Sequence, residues 1–333
     1  MHDLVRDAAQ WIANKEIQCV KLFDKNHKSL VQKQRNIKYL LCEGKYSDLF
    51  SLNFDGSKLE TLIVKADRDE EWEGIEVPNS FFENVVKLRV LYFSGKDRRP
   101  LSLPPSFWLL TNIRSMSVDN VDLGDISILE NLQSLETLDL VGCKINELPN
   151  QITELKKFKL LKLKSCEIRM NNPFEVIKRC SSLEELYFKD SFNDCCKEIT
   201  LHELLIYHIT NDVYGMTKCL KYVVFLGDDA CQFSEETLKY CMQTAEALCL
   251  GAIKGEWRNL MPKIVSIYID QGMNDLVELH LFSIPQLQCL VDTIGSQEPN
   301  VLSKLVVLKL EGMENLEELS NGPLSFESLN KLV

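Results

Sequence analysis

Apolar residues recur along most of the chain in one phased pattern that reads L-x-x-L-x-L. Two neighbouring copies share the same offsets and a following cysteine: Leu135, Leu138, Leu140 and Cys143, then Phe158, Leu161, Leu163 and Cys166. Other copies begin at Ile37, Leu59, Leu88, Ile113, Leu183, Leu220, Ala245, Leu276, Leu305 and Leu329. Because the last two apolar positions alternate, each copy predicts a short strand with one buried face and one face of outward x positions.

One copy cannot cover its own apolar residues, so neighbouring copies must stack to bury them. Most copies start roughly 20–29 residues apart, which is the period of leucine-rich repeats. We therefore expect an α/β leucine-rich-repeat solenoid, with a curved parallel sheet on the concave face and an irregular or helical convex side. The 37-residue step between Leu183 and Leu220 leaves room for an extra helix, and the apolar segment at 202–206 is the candidate.

The composition is that of a folded chain, with 45% apolar residues, 38 basic and 49 acidic side chains and a net charge of −11. This charge disfavours nucleic acid and anionic membrane as partners, because no excess positive charge is available. No run reaches the roughly 18 apolar residues of a membrane span, and no secretory signal is present at the N-terminus. We expect a cytoplasmic protein, with nuclear or membrane-peripheral sites as alternatives.

The twelve cysteines suggest disulfides, zinc ligation or core filling. None forms a C-x-x-C pair, and the adjacent Cys195 and Cys196 cannot both reach one tetrahedral metal without strain, so no metal is expected. Cys143 and Cys166 occupy the turn position after the strand where leucine-rich repeats place Asn or Cys, and Cys42 occupies a core position. We expect reduced thiols that serve the architecture.

The chain begins differently, because Leu4, Val5, Ala8, Trp11 and Ile12 form one apolar helical stripe. Met1-His2-Asp3 followed by this helix resembles the MHD motif of plant coiled-coil nucleotide-binding leucine-rich-repeat disease-resistance proteins. In that family the motif ends the nucleotide-binding (NB-ARC) module directly before the repeats. The resemblance implies that residues 1–30 are the end of that module, including a helical remnant of its winged-helix subdomain. Residues 31–333 would be about 11–12 irregular repeats, truncated at the C-terminus.

The resemblance also implies a nucleotide site of which this chain carries only a part. His2 would contact the β-phosphate of ADP, and Asp3 would help to hold the winged-helix subdomain closed. The sequence has no G-x-x-x-x-G-K-[ST] phosphate loop, so we expect no cofactor in this chain and ADP or ATP only in a full-length member. Either the chain is a fragment, or its gene model begins at an internal methionine.

The outward x positions of successive strands form the candidate binding surface. Their central column reads Ile63, Tyr92, Ser117, Asp139, Lys162, Tyr187, Val224, Cys249, His280 and Lys309. From it we take Tyr92, Asp139, Lys162, Tyr187, His280 and Lys309 as the partner-binding residues, with the two tyrosines as exposed anchors. The alternative is that these side chains are only a solvated sheet surface.

These observations predict an innate-immunity receptor fragment. Its repeats would recognise a pathogen effector or a guarded host protein, and would restrain the intramolecular nucleotide-binding module. The alternative is a generic intracellular leucine-rich-repeat adaptor without a nucleotide switch. An extracellular receptor is disfavoured by the missing signal and N-x-[ST] sequons. Enzymatic activity is not expected, because the histidines lie in unrelated repeats and no nucleophile signature accompanies them.

Overall fold

The structure is a computed structural model that describes the chain in several stretches. These are residues 18–21, 24–33, 36–66, 75–196, 198–199, 201, 204, 206–210, 220–226, 232–233, 235–253, 258–261, 275–293, 302–322, 324 and 326–333. The chain divides into two compact units. The first comprises residues 1–171 and 179–183, and the second comprises residues 172–178 and 184–333.

Parallel strands build the first unit. In chain order they are β1 (Gln18–Lys21), β2 (Tyr39–Gly44), β3 (Thr61–Ala66), β4 (Ile75–Glu76), β5 (Val90–Ser102), β6 (Ser115–Gly124), β7 (Thr137–Val141), β8 (Lys144–Ile145), β9 (Leu160–Lys164) and β10 (Glu167–Ile168). The main ladder pairs β1, β2, β3, β5, β6, β7 and β9 in that order. A second, shorter ladder pairs β4, β5, β6, β8 and β10.

Helical segments return the chain between these strands. They are α1 (Lys25–Lys33), α2 (Tyr46–Phe50), α3 (Asn79–Asn84) and three 3-10 turns, Pro105–Leu109, Ser127–Asn131 and Asn150–Glu154. Phe82 of α3 is fully buried and packs edge-on against Phe81 and Phe107, with ring centroids 5.3 and 4.9 Å apart. The buried strand leucines and these phenylalanines are parts of the hydrophobic core of the unit.

The predicted alternation holds along the main ladder of the first unit. Both inward positions of β7, Leu138 and Leu140, have 0% exposure, and the same holds for the inward pair of β9. Cys42 is likewise buried at an inward position of β2. When parallel strands pair in register, residues at the same position of the motif lie opposite each other. The outward residues of each strand therefore lie beside the outward residues of its neighbours.

Several repeats turn after their strand in the same way. A residue two positions after the last inward residue adopts a left-handed backbone, as in Asn120 (φ 54°), Gly142 (φ 61°) and Ser165 (φ 51°). The next residue then faces back into the stack. Cys143 donates its thiol to the carbonyl oxygen of Val118 at 3.2 Å, and Cys166 donates to that of Leu140 at 3.2 Å. The turn role predicted for both cysteines is therefore confirmed.

The second unit repeats this plan. Its strands are β11 (Glu185–Lys189), β12 (Glu198–Ile199), β13 (Ile206–Thr210), β14 (Lys221–Leu226), β15 (Gln232–Phe233), β16 (Ala247–Gly251), β17 (Asn259–Met261), β18 (Glu278–Phe282), β19 (Cys289–Val291), β20 (Val307–Glu311), β21 (Glu318–Ser320) and β22 (Lys331–Leu332). Its helices are α4 (Pro173–Ile177) and α5 (Glu235–Thr244). The main ladder pairs β11, β13, β14, β16, β18, β20 and β22 in parallel.

The extra helix expected at 202–206 is wrong, because a further strand, β13, begins at Ile206. Leu204, Tyr207 and Ile209 fill the three motif positions and are all buried. The long step is thus one repeat of 21 residues followed by a start 16 residues later. The motif went unrecognised because a tyrosine stands at a leucine position. Tyr207 is accommodated there because its hydroxyl lies 2.9 Å from Thr244 Oγ1 of α5.

The register also changes at this point. Tyr207 lies opposite Lys221, and Ile209 lies opposite Val223. Motif positions predict Val223 opposite Tyr207, so the pairing is offset by two residues. Leu220, taken from the sequence as a buried repeat start, is 57% exposed.

The sheet of the first unit extends further toward the N-terminus than the predicted boundary at residue 31. β1 pairs in parallel with β2, with Gln18 opposite Leu40. The helical remnant predicted for the first residues, with His2 and Asp3, lies outside the described residues.

Candidate functional site

The outward strand face of the first unit carries three of the predicted binding residues in register. Tyr92 lies opposite Ser117, Ser117 opposite Asp139, and Asp139 opposite Lys162. They belong to β5, β6, β7 and β9, whose inward positions anchor each strand in the core. The sequence-predicted row is therefore real on this unit, and its side chains are about 4.8 Å apart from strand to strand.

Neighbouring side chains hold this row in a fixed arrangement. Lys162 Nζ lies 2.8 Å from Asp139 Oδ2, and the two side chains are only 19% and 13% exposed. The hydroxyl of Tyr92 donates to Asp119 Oδ2 at 2.8 Å. Burial, reinforced by this hydrogen bond, raises the pKa of Tyr92 to about 12, so the phenol stays neutral. The row thus presents a fixed polar surface rather than mobile charges.

The tyrosines expected to be exposed anchors are instead half-buried. Tyr187 donates its hydroxyl to Glu185 Oε2 at 3.1 Å on the outward face of β11. Burial and the charge of Glu185 raise the pKa of Tyr187 to about 12. Each tyrosine therefore pairs with a carboxylate of its own sheet face.

An aromatic row that the sequence reading missed continues from Tyr187. Tyr187 lies opposite His208, and His208 opposite Tyr222. The His208 ring centroid lies 4.7 Å from that of Tyr187 and 4.2 Å from that of Tyr222. His208 was missed because its repeat was not recognised. Tyr222 was missed because the two-residue offset places it, and not Val224, beside His208.

The remaining predicted residues lie on a separate row of the second unit. Val224, Cys249, His280 and Lys309 are opposite one another on β14, β16, β18 and β20. His280 is only 8% exposed, and within the described residues its Nε2 has no hydrogen-bond partner. Burial, with the charges of Lys309 and Lys331, lowers the pKa of His280 to about 4. His280 is therefore a neutral, buried side chain, whereas Lys309 stays accessible.

The described residues offer little for other chemistry. Within them, no group of three His, Cys, Asp or Glu side chains is arranged to hold a metal ion. No disulfide joins any two of the nine cysteines whose side chains the structure describes. Among the helices of the described stretches, none is long and apolar enough to cross a membrane.

Comparison with known proteins agrees with this architecture. A leucine-rich-repeat protein of Leptospira interrogans, LIC12759, superposes with a TM-score of 0.50 at 17% identity, over 93% of this chain and 82% of that one. An internalin of Listeria monocytogenes gives a TM-score of 0.42 at 16% identity, over 89% and 80%. At such identities the likeness concerns the fold alone. No protein-family model matches the chain.

Sequence comparison adds a relative. The disease resistance protein At4g27190 of Arabidopsis thaliana is 33% identical over 201 residues, which cover 56% of this chain. The chain has a leucine-rich-repeat fold and is similar in sequence to this plant disease resistance protein. The match covers 19% of At4g27190, so this leucine-rich-repeat protein spans about a fifth of its relative.

Proposed function

We propose that this chain is the repeat region of a plant intracellular immune receptor. Its outward strand face recognises a protein, either a pathogen effector or a guarded host protein. In the complete receptor, which acts in the cytoplasm, the repeats restrain a nucleotide-binding module until that protein binds. The relationship to At4g27190 supports this class of function.

The observation that carries the proposal is the fixed presentation of Tyr92, Asp139 and Lys162 on neighbouring strands. Side chains already held by Asp119 and by one another lose little conformational freedom when a partner binds. Aromatic residues with an apolar ring and a polar tip are enriched at such interfaces. A row of this kind fits recognition of another protein surface.

The proposed mechanism is a biased two-state equilibrium. A partner that contacts the repeats more favourably in the open receptor shifts the population toward that state, and only by its difference in affinity for the two states. The repeats therefore act as a sensor and perform no bond chemistry.

The proposal is tested in a complete receptor that carries these repeats. Tyr92→Ala combined with Lys162→Gln should abolish the leaf cell-death response to the recognised pathogen, while the protein accumulates normally. Trp108→Ala is the matched control, because this aromatic side chain of the same unit is 53% exposed on a 3-10 turn away from the strands. Equal responses from both variants would remove the strand face from recognition.

The coding sequence of the gene distinguishes the receptor from the adaptor alternative. Coding sequence upstream of Met1 that contains a phosphate-binding loop supports the receptor. A transcript without such a loop supports an adaptor that scaffolds proteins without a nucleotide switch.

A further inference from the structure

The amino-terminal edge of the main ladder in the first unit has a charge opposite to that of the whole chain. This edge consists of the loop residues that enter each strand, namely 36–38, 56–60, 85–89, 110–114, 132–136 and 155–159. Five exposed cations enter β2, β3, β5 and β6: Lys38, Lys58, Lys87, Arg89 and Arg114. Three more exposed lysines lie within 156–159 before β9. Glu60 and Glu136 are the acidic residues of these stretches.

This concentration of positive charge is local to the first unit. The chain as a whole has a net charge of −11. At the same motif positions of the second unit, the described residues carry the acidic side chains Glu184, Glu246, Asp275 and Glu327 against the two lysines Lys221 and Lys304. The positive charge at this edge of the first unit is therefore not explained by a general preference of these repeats for lysine at these positions.

The backbone places one residue of each entering loop in a row, in which Glu60 and Glu136 stand between the cations. Arg89 N donates to Glu60 O at 2.8 Å, and Arg114 N donates to Arg89 O at 2.8 Å. The same bond continues from Glu136 to Arg114 and from Lys159 to Glu136, at 2.8 and 2.9 Å. With six strands about 4.8 Å apart, the edge is about 24 Å long.

The internal acids compensate this charge weakly. Arg89 Nη1 lies 3.4 Å from Glu60 Oε2, and Arg114 Nε lies 4.0 Å from Glu136 Oε1. The two arginine side chains remain 56% and 61% exposed. Exposed ion pairs of this geometry contribute little to stability, so a better-placed carboxylate can replace them.

Apolar side chains adjoin this edge on the outward strand face. They are Tyr39 and Leu41 of β2, Ile63 of β3, and Val90 and Tyr92 of β5, all half-buried except Val90, which is 37% exposed. A basic edge beside an apolar strip is complementary to a segment with acidic and apolar faces.

We propose that this edge of the first unit binds an acidic amphipathic helix of a partner protein. A helix of about 16 residues spans about 24 Å, which matches the row. Its carboxylates pair with Arg89 and Arg114, and its apolar face covers Leu41, Ile63 and Val90. This inference rests on the proposed function, because it names the partner chemistry for the same protein-recognition region.

The test uses the complete 333-residue chain and a fluorescent 18-residue helical peptide with Leu on one face and Glu on the other. A second peptide has Gln in place of every Glu. We expect the Glu peptide to bind at least about tenfold more tightly, with an affinity that falls as salt rises. Arg89→Glu with Arg114→Glu should weaken binding about tenfold or more. Lys239→Glu with Lys304→Glu, an equal change of charge at exposed sites of the second unit, should leave it unchanged.

The apolar part is tested by Leu41→Ser with Ile63→Ser, which lie on the outward face and should weaken binding while urea unfolding stays cooperative. Equal affinity for the Glu and Gln peptides, or no effect of the double arginine reversal, overturns the inference. Tighter binding of single-stranded RNA or of phosphatidylserine vesicles than of the Glu peptide also overturns it. If the Tyr92 and Lys162 variants still lose the cell-death response, the proposed function survives that failure.

Discussion

At the scale of single residues, the outward face shows how position in the sheet changes the chemistry of a side chain. His280 occupies the same kind of motif position as Lys162, yet it is 8% exposed. Its environment disfavours the imidazolium because solvent is excluded and because Lys309 and Lys331 are both cationic. Glu278, whose Oε2 lies 3.8 Å from His280 Nε2, is the acidic group on the same strand. The sequence predicted His280 to be an accessible contact residue. Its burial depends on the three-dimensional packing, which the residue type does not show.

This burial predicts a pH dependence of stability. The pKa of His280 is lowered from 6.5 to about 4 in the fold, so the unfolded chain takes up a proton first as the pH falls. The contribution of neutral His280 is complete above pH 6.5 and is lost as the pH falls toward 4. Between pH 7.5 and pH 4.5, urea unfolding should show that the wild type loses about 1–2 kcal/mol more than His280→Gln. Equal acid sensitivity of the two proteins would contradict the assignment.

At the scale of elements, a turn with a left-handed residue after the strand recurs in both units. Asn120, Gly142 and Ser165 in the first unit, and Ala252 and Ser283 in the second, all have a positive φ. L-residues with a side chain reach this conformation at a cost of about 1–2 kcal/mol, which glycine avoids. Repeats that place another residue at this position accept this cost at every turn.

Two opposite substitutions test the turn. Gly142→Ala adds a Cβ 2.3 Å from Asn120 Oδ1 at a φ of 61°, so it should destabilise the protein by about 1–2 kcal/mol. Ala252→Gly removes the strain at a φ of 52° and should stabilise by about 0.5–1 kcal/mol after the entropy of the unfolded chain is counted. Urea midpoints measure both. The same sign for the two variants would exclude a common turn geometry.

The strands were largely predictable from the sequence, because a period of two with buried leucines leaves no other arrangement for a stacked repeat. β13 was not, because Tyr207 stands at a leucine position and pairs with a helix, α5, that the local pattern does not specify. The carboxylate partners Asp119 and Glu185 were also missed. Both lie two residues from a predicted row position in the motif, and the bonds form only once strands and side chains are placed in three dimensions.

At the scale of the whole molecule, the repeats behave as exchangeable units. Each contacts mainly its neighbours, so stability is approximately a sum of repeat and interface contributions. Removing one full period should therefore preserve the pattern that its neighbours need, whereas removing half a period should not.

Deleting residues 135–157 joins Ser134 to Phe158 and keeps the motif in phase. We expect the shortened chain to fold with a lower urea midpoint and an unchanged circular dichroism spectrum per residue, since Cys166 then stands where Cys143 stood. Deleting residues 135–146 shifts the phase by half a repeat and should abolish the cooperative transition. Similar cooperative unfolding of both deletions would contradict modular stacking.

The two-residue offset between β13 and β14 breaks the alignment of motif positions along the main ladder of the second unit. Across this offset, residues at the same motif position no longer lie opposite each other. They are displaced by about 6.6 Å along the strand, which is the length of two residues. The Tyr187 row continues through His208 to the buried residues Tyr222 and Ala247, and not to Val224 and Cys249. When binding residues are transferred between related repeat proteins, equivalent positions must therefore be assigned from strand pairing and not from the position in the motif.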